Sequence, residues 1–154
     1  MTLAGRLIVI VFALIVASLA AGAAIAYGAI GPAWNSDLGP FGQGIGFTIA
    51  VFFASSFTGA VGLLPAAILI ALAEAFKIRS LLAHLAVGAV LLVVGYYASG
   101  LAPPSYEESI DHPPPPISRA AEIIAAGGAV FGFAYWAIAG RNAGRWRERR
   151  VPSA

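Results

Sequence analysis

Few residues in this chain can carry chemistry, and three of them lie close together: Glu74, Lys77 and His84. A carboxylate at the margin of an apolar run is a candidate gate or proton carrier, because holding an ionisable group in hydrocarbon costs a few kcal/mol. The same spacing also describes an interfacial ion pair. Glu74 and Lys77 stand at (i, i+3) on one helix face, where long side chains reach back to water, and this is the reading we expect. His84 lies (i, i+4) from Ser80, which fits a satisfied interfacial histidine better than a metal ligand. Ser55, Ser56 and Thr58 put three hydroxyls within one helical turn. They read either as a polar path or as local bonds to their own helix backbone, relieving Pro65 below them. We expect the local bonds.

The remaining polar groups offer less. Glu107, Glu108, Asp111 and His112 sit in a proline-rich segment without metal-motif spacing. With no cysteine in the chain, thiolate zinc sites, iron–sulfur ligation and disulfides are excluded. No nucleophile–base arrangement, phosphate loop or H-E-x-x-H pair is visible. The expectation is therefore a non-enzyme with no cofactor and no metal site. Pro103-Pro104-Ser105-Tyr106 matches a PPxY ligand, but WW domains that grip such segments are intracellular modules, and the threading below turns this segment outward. Pro113–Pro116 then read as a semi-rigid spacer of ~3.1 Å per residue.

These side chains must be positioned by apolar helices. Hydrophobic residues make up 60% of the 154 residues and charged ones 10%, against about 25% charged in soluble domains; mean hydropathy is +0.87. There is too little polar surface for a soluble fold. Apolar blocks run 7–30, 45–73, 81–101 and 120–139, each long enough to cross ~30 Å of hydrocarbon. The second contains Pro65, whose ring removes a donor and crowds the Val61 carbonyl, so a kink or tilt is expected. Between the blocks lie a Gly/Pro turn region (31–44), a short basic turn (Lys77, Arg79), and a proline-rich acidic loop (102–118). Ser118 is the expected N-cap of the fourth helix, and 140–154 form a basic tail. Arg6, the apolar run after it and Ser18–Ala20 also resemble a signal peptide, but the run continues ten residues past that site, and we expect it to stay as a span.

Lys and Arg counts set the threading. Arg6, then Lys77 and Arg79, then the five tail arginines alternate with two connecting loops that carry neither residue before Arg119. The fold class is thus an all-α integral membrane protein, a four-transmembrane-helix antiparallel bundle with both termini cytoplasmic. Its composition is that of a bacterial inner-membrane protein. Arg141, Arg145, Arg147, Arg149 and Arg150 around Trp146 form a site for anionic lipid headgroups, at roughly 1 kcal/mol per basic residue; the same charges also serve as a topogenic anchor. Nucleic acid is not an expected partner.

Small residues mark where helices meet, since close backbone approach replaces hydrophobic drive inside a bilayer. Ser55, Gly59, Gly62 and Ala66 form one stripe, Gly88 and Gly95 a second, and Gly128 and Gly132 a G-x-x-x-G. Most of this is expected to be packing within the chain, the rest an interface for a partner protein or a second copy. The stretch "LLPAAILIALAEAFKIRSLLAHLAVGAVL", Leu63 to Leu91, resembles a segment of small four-helix membrane proteins of rhizobia-type alphaproteobacteria, through Pro65, Glu74, Lys77 and Arg79. The resemblance implies an inner-membrane location and a recurring turn between the second and third helices, and implies no activity. The expected role is an accessory or assembly subunit, or a homo-oligomer, acting by packing. The alternative is a small transporter or channel using Ser55, Ser56, Thr58, Pro65 and Glu74.

Overall fold

The structure, a computed structural model, describes residues 3–30, 39–101 and 118–145. Four helices account for nearly all of them: α1 (Leu3–Ile30), α2 (Gly39–Phe76), α3 (Leu81–Ala98) and α4 (Arg119–Ile138), followed by a single 3₁₀ turn, Gly140–Asn142. All four are long and apolar enough to cross a membrane. A lipid-exposed backbone must satisfy its own hydrogen bonds, and a helix does so within one segment.

Two boundaries depart from the sequence reading. α2 begins at Gly39, so Gly39–Gly44, expected as part of a turn region, is helical. Pro40 falls in the first turn, where no intrahelical donor is needed and its fixed φ suits a helix start. α2 also runs unbroken through Pro65 to Phe76. Its 38 residues span about 57 Å at 1.5 Å each, nearly twice the hydrocarbon thickness, so it must tilt or project beyond the bilayer core. α3 ends at Ala98 rather than Leu101, with Ser99 closing it through its N–H to the Gly95 carbonyl.

The caps follow ordinary chemistry. The Ser118 hydroxyl accepts from the Ala121 N–H at 3.2 Å, and Ser80 caps α3 by accepting from Ala83, each satisfying one of the orphan donors of a helix start. α2 closes with Lys77 in the left-handed region, φ 55°, while the Ile78 N–H reaches back to the Ala73 carbonyl at 2.9 Å. That bond is the long one of a Schellman closure, in which the left-handed position is normally glycine.

Packing is tightest where α4 meets α3 and α1, and sparse between α2 and α3. Gly128 and Gly132 bring α4 against the α3 backbone. A Cβ on Gly128 would overlap the Gly88 carbonyl, and one on Gly132 would overlap the His84 carbonyl. Ala13, Ala17, Ala21, Leu92, Ile124, Phe131 and Tyr135 form the centre of the core. The outer face of α2 is instead lined with exposed apolar side chains, among them Phe52, Phe53, Leu64 and Ile68.

Candidate functional site

The most concentrated polar chemistry lies where the start of α1, the end of α2 and the end of α4 converge. Arg6, in the first turns of α1, donates from Nε to Glu74 Oε1 at 2.9 Å and from Nη2 to the same oxygen. A further Nη2 bond goes to the Ala139 carbonyl at 2.8 Å. Ala139 is the C-cap of α4, so the guanidinium meets both a carboxylate and the negative end of a helix dipole. The other carboxylate oxygen, Glu74 Oε2, accepts from the Gly144 N–H at 2.8 Å. The two side chains are only 4% and 12% exposed. In a dry site such a pair persists only if its remaining polar atoms are also satisfied, and both backbone partners serve that end.

A second tie lies beside the first. Arg79 Nε donates to the Ala143 carbonyl at 2.9 Å, and the Trp136 indole N–H donates to the Arg79 carbonyl at 2.8 Å. The turn between α2 and α3 is thereby fastened to the end of α4 from both directions. Gly144 makes the geometry possible. Its φ of +73° is a conformation that side chains disfavour, and a Cβ there would lie 2.6 Å from Lys77 Cγ.

Glu74 has an ion-pair partner across the fold, Arg6, 68 positions away, in a site buried within the chain. Arg6, which the sequence offers as a topogenic charge and as the basic start of a signal-like segment, is 3% exposed. No local pattern announces a pair between helices so distant in sequence; the one available signal is that two isolated charges flank otherwise uncharged spans. Lys77 is exposed at the turn. His84 Nδ1 lies 2.8 Å from the Ser80 carbonyl, its ring stacks on Tyr135 at 5.8 Å, and its buried Nε2 has no hydrogen-bond partner. Nε2 faces Gly140, where a Cβ would come within 2.9 Å of it.

The hydroxyls of α2 do not converge on one cavity. Thr58 Oγ1 donates to the Ala54 carbonyl one turn back, at 2.8 Å, Ser56 is exposed, and buried Ser55 Oγ points at Gly22 of α1 without a hydrogen-bond partner. The small-residue stripe divides in the same way. Ser55 meets α1, Gly62 lies against Leu91 and Leu92 of α3, and Ala66 is buried. Gly59 has only its own helix's Leu63 near it. Gly95 sits against Val61, and Gly88 against Gly128 and Gly132. Of the tail, Arg141 and Arg145 are exposed, with Arg145 donating to Asn142 at 2.9 Å. Trp146, Arg147, Arg149 and Arg150 lie outside the described residues, as do Glu107, Glu108, Asp111 and His112.

Beside the polar junction an apolar cleft of about 270 Å³ separates α2 from the α3–α4 pair. Its walls include Ala66, Leu69, Phe76, Val87, Leu91 and Phe131, with His84 and Tyr135 at one end. The arrangement can hold helices together and admit a hydrocarbon group. Among the described residues it sets no nucleophile against a base. No family model, curated protein or solved structure matches this chain.

Proposed function

We propose that this is a bacterial inner-membrane protein that crosses the bilayer four times as an antiparallel bundle with both termini cytoplasmic, and that it acts without catalysis, as an accessory or assembly subunit or a homo-oligomer, through helix packing. One observation carries the reading. The ionisable groups buried at the helix ends are spent on the fold itself: Glu74 has both oxygens engaged, by Arg6 and by Gly144. What remains outward is apolar on several helices: Phe52, Phe53 and Leu64 of α2 are 67%, 67% and 76% exposed, and Ile8 of α1 and Leu82 of α3 are similarly bare. Exposed apolar surface of this kind meets either lipid or another protein.

The threading is supported by the gathering of Arg6, Lys77, Arg79, Arg141 and Arg145 toward one end of the molecule, as a positive-inside arrangement requires. Anionic lipid headgroups are the natural counter-ions for that end, including the tail from Arg145 through Trp146, Arg147, Arg149 and Arg150. A periplasm-only reporter should be active when fused at Ser109 and silent at Ala154.

Mild-detergent purification from native membranes, with crosslinking and mass spectrometry, tests the role. A stoichiometric membrane partner, or a defined homo-oligomer, is the expected result; a monodisperse monomer without a partner would overturn it. The transporter reading draws on one observation, the buried carboxylate of Glu74. It requires that carboxylate to leave Arg6 during turnover, and a Glu74→Gln protein that stays folded but loses transport would establish it.

A further inference from the structure

The cleft between α2 and the α3–α4 pair has a chemistry that narrows what can fill it. Leu72, Phe76 and Val87 in its wall are also 46%, 74% and 43% exposed, so the cavity opens sideways, toward the surroundings of the helices rather than along a central channel. Its volume of about 270 Å³ lies just below the ~300–1,000 Å³ usual for ligand pockets. That is room for part of one hydrocarbon chain, and too little for a helix of ~10–12 Å diameter.

The end of the cleft near the polar junction is basic. Phe76 and Ile78 both line it and bracket Lys77, and Arg79 is the next residue. The bond from Arg79 to Ala143 draws the C-terminal turn, with Arg141 and Arg145, to the same end. Among the described residues this end gathers Arg6, Lys77, Arg79, Arg141 and Arg145 against the carboxylate of Glu74, so its net charge is positive.

The backbone adds an independent observation. Lys77 occupies a left-handed position, φ 55°, where helices normally place glycine. A lysine held there at a conformational cost is the sort of outlier that marks a functional residue.

We propose that this cleft binds one acyl chain of an anionic phospholipid, with the phosphate of its headgroup on Lys77 and Arg79. The proposal rests on the membrane reading of the chain and not on any accessory role. A zwitterionic lipid would fill the cleft equally well but would gain less from the basic rim.

The test uses the full chain in nanodiscs of phosphatidylcholine containing a trace of phosphatidylglycerol with a photoactivatable group in its acyl chain. Adducts are mapped by peptide mass spectrometry, with unlabelled phosphatidylglycerol or phosphatidylcholine as competitor. Adducts should concentrate on Leu69–Phe76 and Val87–Leu91 and be displaced by phosphatidylglycerol in preference to phosphatidylcholine. Lys77→Gly should keep or raise the thermal midpoint, since glycine suits the backbone, yet weaken that preference about fivefold, the weight of one basic side chain. Val87→Trp, which fills the mouth and leaves every charge in place, should abolish labelling in the cleft. Labels spread evenly over the exposed faces of α1 and α2, equal competition by both lipids, or an unchanged preference in Lys77→Gly would each overturn the proposal. Failure to enter nanodiscs at all would instead overturn the membrane reading beneath it.

Discussion

The buried pair of Arg6 and Glu74 invites a double-mutant cycle, and the structure fixes its expected shape. Glu74→Leu removes the acceptor of two guanidinium bonds and the acceptor of the Gly144 N–H. It leaves a guanidinium that is 4% exposed with the Ala139 carbonyl as its remaining described partner. Breaking a buried pair from one side costs about 3–5 kcal/mol. Because Arg6 stands in the first turns of α1, partial escape to the interface should bring the loss to about 3 kcal/mol. Arg6→Met strands the carboxylate instead, which retains Gly144 and can neutralise by taking a proton, so about 2 kcal/mol is expected. The double variant leaves only two backbone groups, the Ala139 carbonyl and the Gly144 N–H, and should lose about 1 kcal/mol. The coupling energy is then about 4 kcal/mol, above the usual range for neighbouring side chains. Unfolding by sodium dodecyl sulfate in mixed micelles, followed by tryptophan fluorescence, measures all four proteins. Additive losses, or single variants costing under about 1 kcal/mol, would refute the claim that this pair fastens α1 to α2 and α4.

Three further outcomes follow from the same geometry. Gly132→Ala drives a Cβ into the His84 carbonyl and should destabilise by about 1–3 kcal/mol, whereas Gly59→Ala, with only Leu63 nearby at 3.8 Å, should leave stability unchanged in the same unfolding assay. Ser55→Ala removes a buried hydroxyl that lacks a hydrogen-bond partner, so circular-dichroism melts should show a neutral or slightly stabilising change, up to about 1 kcal/mol. Trp136→Phe deletes the donor to the Arg79 carbonyl and should cost about 1 kcal/mol, with faster proteolysis at the turn between α2 and α3 as the readout.

Helices were the most legible part of the chain, because membrane spans are written in long uninterrupted runs. The Ser118 cap was equally legible, since capping depends on two neighbouring residues. The start of α2 was not. "GPFGQG" is rich in the glycine and proline that favour turns, so no residue in it announces a helix. The junction at Arg6 and Glu74 was invisible for a different reason. Local reasoning offers Glu74 its neighbour Lys77, and has no means of foreseeing bonds from the start of α1 and from Gly144 beyond α4. A cleft is harder still to foresee, because its volume depends on how far α2 stands from α3, and no residue type records that separation.

The outer face of α2 offers the most direct test of the central claim. Photoreactive amino acids placed at Phe53 and Leu64, both strongly exposed, would be activated in native membranes and the adducts resolved by mass. A protein that works by packing should give one discrete adduct, to a single partner or to itself, from both positions, with exposed positions on α1 such as Ile8 as the control. Only lipid adducts from every position would contradict the account, and would leave the chain as a self-contained unit whose function lies elsewhere than in assembly.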